Sequence, residues 1–330
     1  MVEQGLWHPV LAADSLQGDR PVAARLLGDD LVLWRDATGA PQAWADRCPH
    51  RGTRLSLGSV RPGADGTARL ECPYHGWQFA ASGQCVVVPA LPEFTPPATH
   101  RACTHEALEA HGLVWVRMAP GDSGVPPFEA GRDARLRTLL CGPYTVETSA
   151  PRIVENFLDM AHFAFVHEGW LGDRAHVALA DYRIEPTPTG FVATGCQAWQ
   201  PQSNRLSGQG RMVDYRYELT SPFSAVLVKL SQQPGEERDE IGLFVCPQDP
   251  ERSVVWFRLA VTDHVSSDPE LRAFQHTIFT QDQPILESQS PKRLPLRAGD
   301  DSRELNCAAD RASAAYRRVL SERGISFGVC

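Results

Sequence analysis

Two short stretches, "CPHRG" at residues 48–52 and "CPYHGWQF" at residues 72–79, decide the fold of the first part of the chain. Each stretch combines one cysteine and one histidine in a tight loop that also contains a glycine, and 21 residues separate the two pairs. The four candidate ligands are Cys48, His50, Cys72 and His75. Two thiolates and two imidazoles suit a tetrahedral zinc ion. They also suit a [2Fe–2S] cluster in which two cysteines bind one iron and two histidines bind the other.

The sequence around these loops predicts a small antiparallel β domain. Short apolar stretches that partly alternate, such as 22–28, 31–36 and 112–118, are separated by turns rich in glycine and aspartate. A proline- and glycine-rich stretch at 119–131 is typical of a linker. We therefore predict one domain over residues 1–125 and a second over 126–330.

The second part of the chain predicts an α+β domain. Five strand candidates follow a helical pattern at 151–169, and two more helices are expected at 267–289 and 302–324. Ser267 or Asp268 can cap the helix at 267–289, and Pro284 is expected to kink or break it near its end. The predicted fold class is α+β, with an antiparallel β domain followed by an antiparallel sheet flanked by helices.

Composition excludes several classes of partner. The 330 residues carry a formal net charge of -8 and no run rich in lysine or arginine, which argues against nucleic acid and anionic membranes. No apolar run approaches the roughly 18 residues of a membrane-spanning helix. The nine cysteines lie far apart, and the N-terminus lacks the pattern of a secretory signal. We expect reduced cysteines and a cytoplasmic protein.

A second candidate metal site lies in "ENFLDMAHFAFVHE" at residues 155–168. Asn156, Asp159 and His162 are spaced by three, which keeps them near one face of a helix. His167 follows His162 by five residues, so a regular helix would hold the two imidazoles ~140° apart. The helix must therefore end, kink or bulge between the two histidines if they share a metal. Two histidines and one carboxylate form the facial triad of non-haem Fe(II) oxygenases.

The carboxylate of such a triad must come from elsewhere in the chain. Asp282 is the first choice because it lies on a later helix just before Pro284, and Glu287 is the main competitor. Asp159, one turn from His162, is better placed as a hydrogen-bond acceptor for an imidazole N–H.

Both motifs in this order resemble those of Rieske oxygenase α subunits. The resemblance covers the 48–52, 72–79, 155–168 and 281–289 stretches and most of the chain. It implies a Rieske [2Fe–2S] cluster, a mononuclear non-haem Fe(II) and a C-terminal helix-grip (START-like) domain. It also implies electrons from NAD(P)H through a separate reductase or ferredoxin, and a head-to-tail homotrimer. In that trimer, electrons would pass from His75 of one subunit through Asp159 to His162 of the next, with Asn156 beside the iron.

Details of the motifs resemble most the branch of α-only demethylases and monooxygenases, which includes purine-alkaloid N-demethylases and vanillate-type O-demethylases. That branch implies O2-dependent hydroxylation of a small aromatic or heterocyclic compound, ending in N- or O-demethylation or in a hydroxylated methyl group or ring. The alternatives are a cis-dihydroxylating dioxygenase and, from another class, a Rieske electron-transfer protein without oxygenase activity. The substrate pocket is expected between the 151–169 helix and the sheet of 190–261. The aromatic candidates for its lining are Phe163, Trp199, Tyr215 and Phe244.

Overall fold

The computed structural model describes residues 1–63, 66–202, 209–230, 238–296 and 304–330. They form two compact units, one of Glu3–Val125 and one of Pro126–Cys330 together with Met1–Val2. Both units are built on antiparallel strands, and the α-helices of the described residues all lie in the second unit. The predicted α+β class is confirmed. The assignment of residues 1–125 and 126–330 to two functional domains stays a prediction.

Antiparallel pairs of short strands make up the first unit. The strands are β1 (His8–Ala12), β2 (Val22–Leu26), β3 (Asp29–Arg35), β4 (Pro41–Ala45), β5 (Ser59–Pro62), β6 (Ala68–Glu71), β7 (Gln78–Ala80), β8 (Cys85–Val87), β9 (Thr104–Ala110) and β10 (Leu113–Arg117). Among the described residues, one sheet has the order β1-β10-β9-β4-β3-β2 and a second has the order β5-β6-β7-β8.

A tryptophan-rich core lies under the two cysteine loops. Trp34 and Trp44 are fully buried and meet edge to face with ring centroids 5.1 Å apart, and Phe79 packs against Trp44 at 6.5 Å. Cys48 and Cys72 belong to the same buried cluster. One loop follows β4 and the other joins β6 to β7, so the core holds both loops at the same end of the unit.

The second unit has a large antiparallel sheet with helices packed against it. The strands are β11 (Arg137–Val146), β12 (Arg183–Pro186), β13 (Phe191–Gln200), β14 (Arg211–Ser221), β15 (Ser224–Leu230), β16 (Asp239–Asp249) and β17 (Arg252–Val261). The helices are α1 (Ala150–Leu158), α2 (Phe163–Val166), α3 (Asp268–Ser288) and α4 (Arg311–Glu322). Short 3₁₀ turns lie at Val2–Gly5, Ala13–Ser15, Leu55–Leu57, Glu129–Arg132 and Ala308–Asp310. In the described part of the chain, the sheet order is β11-β17-β16-β15-β14-β13-β12.

Helix boundaries differ from the predictions at two places. The helix predicted over 302–324 begins only at Arg311, because residues 304–307 are not helical; residues 302 and 303 lie outside the described residues. Helix α3 begins as predicted after Ser267, whose backbone N–H and hydroxyl donate to the carboxylate of Glu270. Pro284, however, does not end α3, which continues to Ser288.

Within the described ranges, none of the helices has the length and apolar character that a membrane crossing requires.

Candidate metal centres and active site

The two cysteine loops share one backbone conformation. The N–H of Gly52 donates to the carbonyl of Cys48, at 2.8 Å, and the N–H of Gly76 donates to that of Cys72, at 3.1 Å. Both glycines have positive φ, +74° and +68°, which side chains other than glycine rarely adopt. Glycine is therefore needed for the backbone turn of each loop.

These loops place the two cysteines beside each other and the two histidines beside each other. The thiols of Cys48 and Cys72 lie next to each other and are buried. The rings of His50 and His75 have centroids 4.8 Å apart, and His75 is exposed. Paired sulfurs and paired imidazoles match the two irons of a [2Fe–2S] cluster with two histidine ligands.

Burial holds the Cys48 thiol protonated in the absence of metal. Burial, together with the neighbouring Cys72, raises the pKa of Cys48 to about 11, and the N–H groups of His50 and Arg51 offset part of that rise. A bound metal stabilises the thiolate, so cluster binding releases protons here. Trp77 covers the site from one side because its ring stacks on His50 at 4.3 Å.

The second motif breaks its helix at Asp159. Helix α1 ends at Leu158, and Asp159 has an extended backbone (φ -88°, ψ 141°). Its carboxylate accepts hydrogen bonds from the N–H groups of Ala161 and His162, at 3.0 and 3.2 Å, which satisfies donors that the broken helix leaves open. The prediction that Asn156, Asp159 and His162 share one helical face is therefore wrong, since only Asn156 lies inside α1.

The chain is interrupted again after the short helix α2. The two interruptions bring the imidazoles of His162 and His167 close together. His162 precedes the one-turn helix α2 and His167 follows it. The sequence predicted that a helix is interrupted between the two histidines if they share a metal. In the structure, helix α2 is only one turn long, and the two histidines lie at its two ends. Their ring centroids are 5.1 Å apart.

Hydrogen bonds fix which nitrogen each imidazole presents. His162 Nδ1 lies 2.9 Å from the carboxylate of Asp159, and His167 Nδ1 lies 2.8 Å from the Oε1 of Gln281. Both acceptors require Nδ1 to carry the proton, which leaves each Nε2 free to bind a metal. Gln281 was missed by the sequence reasoning, although it directly precedes Asp282.

Asp282 completes the group from helix α3. Its Oδ1 lies 3.4 Å from His162 Nε2 and 3.3 Å from His167 Nε2, and the Nδ2 of Asn156 donates to it at 3.3 Å. Burial opposes protonation of His167, but the carboxylate of Asp282 outweighs it and raises the pKa of His167. In the described part of the chain, only His162, His167 and Asp282 gather three ligand atoms within 4.8 Å of one another. The residues therefore fit one metal ion with open positions.

Glu287, the competitor for the third ligand, points elsewhere. Its carboxylate accepts hydrogen bonds from the backbone N–H of Glu147, at 3.1 Å, and from the side chain of Gln283, at 2.9 Å.

Two family models match the chain. Residues 6–97 match the Rieske [2Fe-2S] domain, and residues 146–324 match the vanillate O-demethylase oxygenase C-terminal domain. The second match covers more than half of the chain and contains His162, His167 and Asp282. This chain is a Rieske non-haem iron oxygenase.

Methylxanthine demethylases are among the relatives of this oxygenase. It is 32% identical over 326 residues to methylxanthine N1-demethylase NdmA of Pseudomonas putida, covering 96% of this chain and 88% of that protein. It is 36% identical over 220 residues to the probable methylxanthine N7-demethylase NdmC of Pseudomonas sp. (strain TJI-51), covering 66% of this chain and 77% of that one. The structure of Pseudomonas putida NdmA with caffeine superposes with a TM-score of 0.82 at 31% identity, covering 97% and 90% of the two chains.

Membership in this family confirms the predicted cofactors and electron supply. The oxygenase is the terminal component of a multicomponent system and carries a Rieske [2Fe–2S] cluster and a mononuclear iron. It acts on a small molecule and O2, and it receives electrons from NAD(P)H through a separate reductase. The alternative of an electron carrier without oxygenase activity is not supported.

The oxygenase has a cavity beside the triad. It lies between helices α1 to α3 and the inner face of the sheet, and His162, His167 and Asp282 line one end of it. Its aromatic lining consists of Phe157, Phe163, Tyr215, Tyr217, Phe257, Phe274 and Phe279. Of the four aromatic residues predicted, Phe163 and Tyr215 line the cavity. Trp199 instead stacks on His176, and Phe244 packs against Phe128.

Proposed function

We propose that this oxygenase removes a methyl group from a small N-methylated heterocycle. The methyl group is hydroxylated with one atom of O2, two electrons and two protons, the other oxygen atom leaving as water. The resulting hemiaminal then splits into the N–H compound and formaldehyde. The observation that carries the proposal is a cavity lined by aromatic side chains in which His162, His167 and Asp282 also take part in the lining. The similarity to methylxanthine demethylases supports the choice of a heterocycle.

Two groups of residues would hold the cofactors. Cys48, Cys72, His50 and His75 would hold the cluster, and His162, His167 and Asp282 would hold the single iron. When bound, the single iron would activate O2, and the cluster would supply it with electrons one at a time. A single zinc ion fits the first group poorly, because no three of its ligand atoms lie within 4.8 Å of one another in the described residues.

Neighbouring side chains set the orientation of the three iron ligands. Asp159 accepts the Nδ1 proton of His162, and Gln281 accepts that of His167. Asn156 donates to Asp282 and restricts the carboxylate to one position. Such partners raise the basicity of imidazole ligands and hold their rings in place.

The apolar lining of the cavity would exclude water from the reacting methyl group. His167 is 1% exposed and Asp282 is 7% exposed, and both line the cavity. Excluding water protects an activated oxidant from side reactions, and it strengthens every polar contact to the substrate.

Three further parts of the proposal concern assembly and location. Asp159 would connect His162 to the exposed His75 of a neighbouring subunit in a homotrimer. Burial favours the protonated form of Asp159, but hydrogen bonds from His162 and Ala161 outweigh burial and lower the pKa of Asp159. The carboxylate is therefore ionised and able to accept a second imidazole N–H. Residues 1–125 would act as the Rieske domain and 126–330 as the catalytic domain. We also propose a cytoplasmic location, where the scattered cysteines stay reduced.

A substrate panel tests the function. The holoenzyme is combined with a generic reductase, NADH and O2, and offered caffeine, 1,3-dimethyluracil, vanillate and toluene-type hydrocarbons. We expect formaldehyde in equal amounts to the N-demethylated product from the heterocycles. A stable methyl alcohol would show that the reaction stops at hydroxylation, and a cis-dihydrodiol would identify a dioxygenase; either result would contradict the proposal.

A further inference from the structure

Three polar side chains line the cavity from the sheet. Gln200 ends β13, and Tyr215 and Tyr217 lie two residues apart on β14, so both tyrosines point to the same face. That face is the inner one, since the cavity also contains His162 and His167. The three side chains therefore lie in the same cavity as the candidate iron ligands.

Among the described residues, none of these three side chains has a hydrogen-bond partner. Gln200 is 0% exposed, and Tyr215 and Tyr217 are each 1% exposed. Both amide atoms of Gln200 and both phenol oxygens are buried and unpartnered. A buried polar group without a partner is costly, and folded proteins retain few of them. Four such atoms along one cavity indicate that a ligand supplies the missing partners.

Other buried tyrosines of the same unit are satisfied. The hydroxyl of Tyr182 donates to the carbonyl of Ala309 at 3.0 Å, and that of Tyr316 donates to the carbonyl of Pro222 at 2.8 Å. The fold therefore pairs buried phenols where no cavity is present. Tyr215 and Tyr217 differ from these two tyrosines because they line the cavity.

These groups offer neutral hydrogen bonds. Burial raises the pKa of Tyr215 and of Tyr217, so both phenols stay protonated and can donate. The nearby Gln200 amide offsets part of the rise at Tyr215, although the two groups do not reach hydrogen-bonding geometry. An amide both donates and accepts, so Gln200 matches a ring that carries a carbonyl oxygen next to a ring N–H, and with a fully methylated ring it can still donate to the carbonyl oxygen.

We infer that Gln200, Tyr215 and Tyr217 bind the polar edge of a neutral, carbonyl-bearing N-heterocycle and turn its N-methyl group toward the His162/His167/Asp282 end of the cavity. This inference rests on the proposed function, because it assigns the substrate class of the same cavity. Two phenol donors suit the carbonyl oxygens or unsubstituted ring nitrogens of a purine- or pyrimidine-dione. The flat ring would pack between aromatic side chains such as Phe157 and Phe163.

An aromatic acid is the rival ligand class. Lys229 lines the cavity opposite Tyr215 and could bind a carboxylate. Asp239 lies opposite Lys229 on the next strand, and its charge partly neutralises the ammonium. The observations thus favour a neutral ring over an acid.

Calorimetric titration of the anaerobic holoenzyme with caffeine and with vanillate tests the inference. The variants Tyr215→Phe and Tyr217→Phe each remove only a hydroxyl, and Gln200→Leu replaces the amide with an apolar side chain of similar size. We expect each to weaken caffeine binding about three- to tenfold, the loss that one neutral hydrogen bond entails. The melting temperature of the ligand-free variants should stay the same or rise, because an unpaired buried group has been removed. Tyr316→Phe is the control, which should lower the melting temperature and leave caffeine binding unchanged.

Two outcomes would overturn the inference. One is unchanged caffeine affinity in all three variants, and the other is binding of vanillate but not of caffeine by the unmodified oxygenase. In the first case, formaldehyde release from caffeine in the panel would still support N-demethylation, so the failure of this inference alone is recognised. In the second case, demethylation of 1,3-dimethyluracil in the panel shows whether the proposed function also fails. Should Gln200→Leu fold poorly, Gln200→Asn shortens the same amide by one methylene and should weaken caffeine binding in the same direction.

Discussion

The two candidate metal centres are built in opposite ways. At the first, each half comes from one loop of five residues, and the buried Cys48 and Cys72 contrast with an exposed His75. At the second, His167 and Asp282 are separated by more than 110 residues in the chain and both are buried. One centre presents its imidazoles at the surface, and the other hides them at the end of a cavity.

The difference matches two kinds of chemistry. A centre that exchanges electrons with another protein needs ligands near the surface, since contact with the partner forms there. A centre that activates O2 beside a C–H bond needs a dry cavity and held ligands. The support of the imidazoles differs accordingly: Trp77 stacks on His50 at the first centre, whereas Asp159 and Gln281 accept imidazole protons at the second.

The largest expected effects come from removing one candidate ligand at each centre, and they differ between the two centres. His162→Ala should abolish turnover and leave the visible absorbance of the cluster intact, because the cluster ligands lie in the other unit. Cys72→Ser should lose both the absorbance and turnover. Absorption spectra with iron analysis measure this, and the unmodified protein should hold roughly three irons per chain, two in the cluster and one at the triad. A His162→Ala protein that still hydroxylates substrate would refute the assignment of the second centre.

Asp159→Asn tests whether Asp159 connects the two centres in electron transfer. The amide can still accept a hydrogen bond but carries no charge, so both metals should remain while turnover falls about 10–100-fold. Stopped-flow oxidation of the reduced cluster would show the slow step directly. Asp173→Asn is the control, because within the described ranges the Asp173 carboxylate accepts from the backbone N–H of Ala175 and from no histidine. A normal rate of cluster oxidation in Asp159→Asn would remove the bridging role.

Gln281→Leu tests whether the second centre depends on the hydrogen bond to His167. Without the acceptor, the His167 ring loses its orientation, and iron affinity should weaken about tenfold. The cluster spectrum should not change. Gln283→Leu is the matched control on the same helix, since its amide donates to Thr145 and Glu287 rather than to a ligand. Equal iron affinity in the two variants would contradict the proposed role of Gln281.

The smallest effect is expected at Glu287. Glu287→Gln keeps the side-chain size and should leave iron content and turnover unchanged, at a cost of about 1 kcal/mol or less in stability. Asp282→Asn, by comparison, should lose the single iron. Iron analysis of the two variants decides between the two carboxylates, and loss of iron in Glu287→Gln would reverse the choice.

The first centre could be predicted almost entirely from the sequence. Its candidate ligands lie in two loops whose Cys, His and Gly spacing sets the local backbone, and local hydrogen bonds from Gly52 and Gly76 close each loop. The fold class and most strands followed from apolar stretches between turn residues. Asp282, and not Glu287, lies beside the two histidines, and its role as a metal ligand stays a prediction.

The second centre depended on tertiary structure. Residue spacing showed that a regular helix could not bring His162 and His167 together, but it could not place the breaks at Asp159 and after Val166. Nor could it place Gln281 on His167 or exclude Trp199 from the cavity, because both depend on which faces of distant elements meet.

The sequence alone determined the family and the α+β class and predicted the two sets of candidate ligands, since all of these depend on short motifs and on local patterns of apolar residues. Only the tertiary structure decided which polar groups face the cavity and remain unpaired. Whether a buried phenol finds a partner depends on the packing of strands and helices far apart in the chain, and on this packing Tyr215 and Tyr217 differ from Tyr182 and Tyr316.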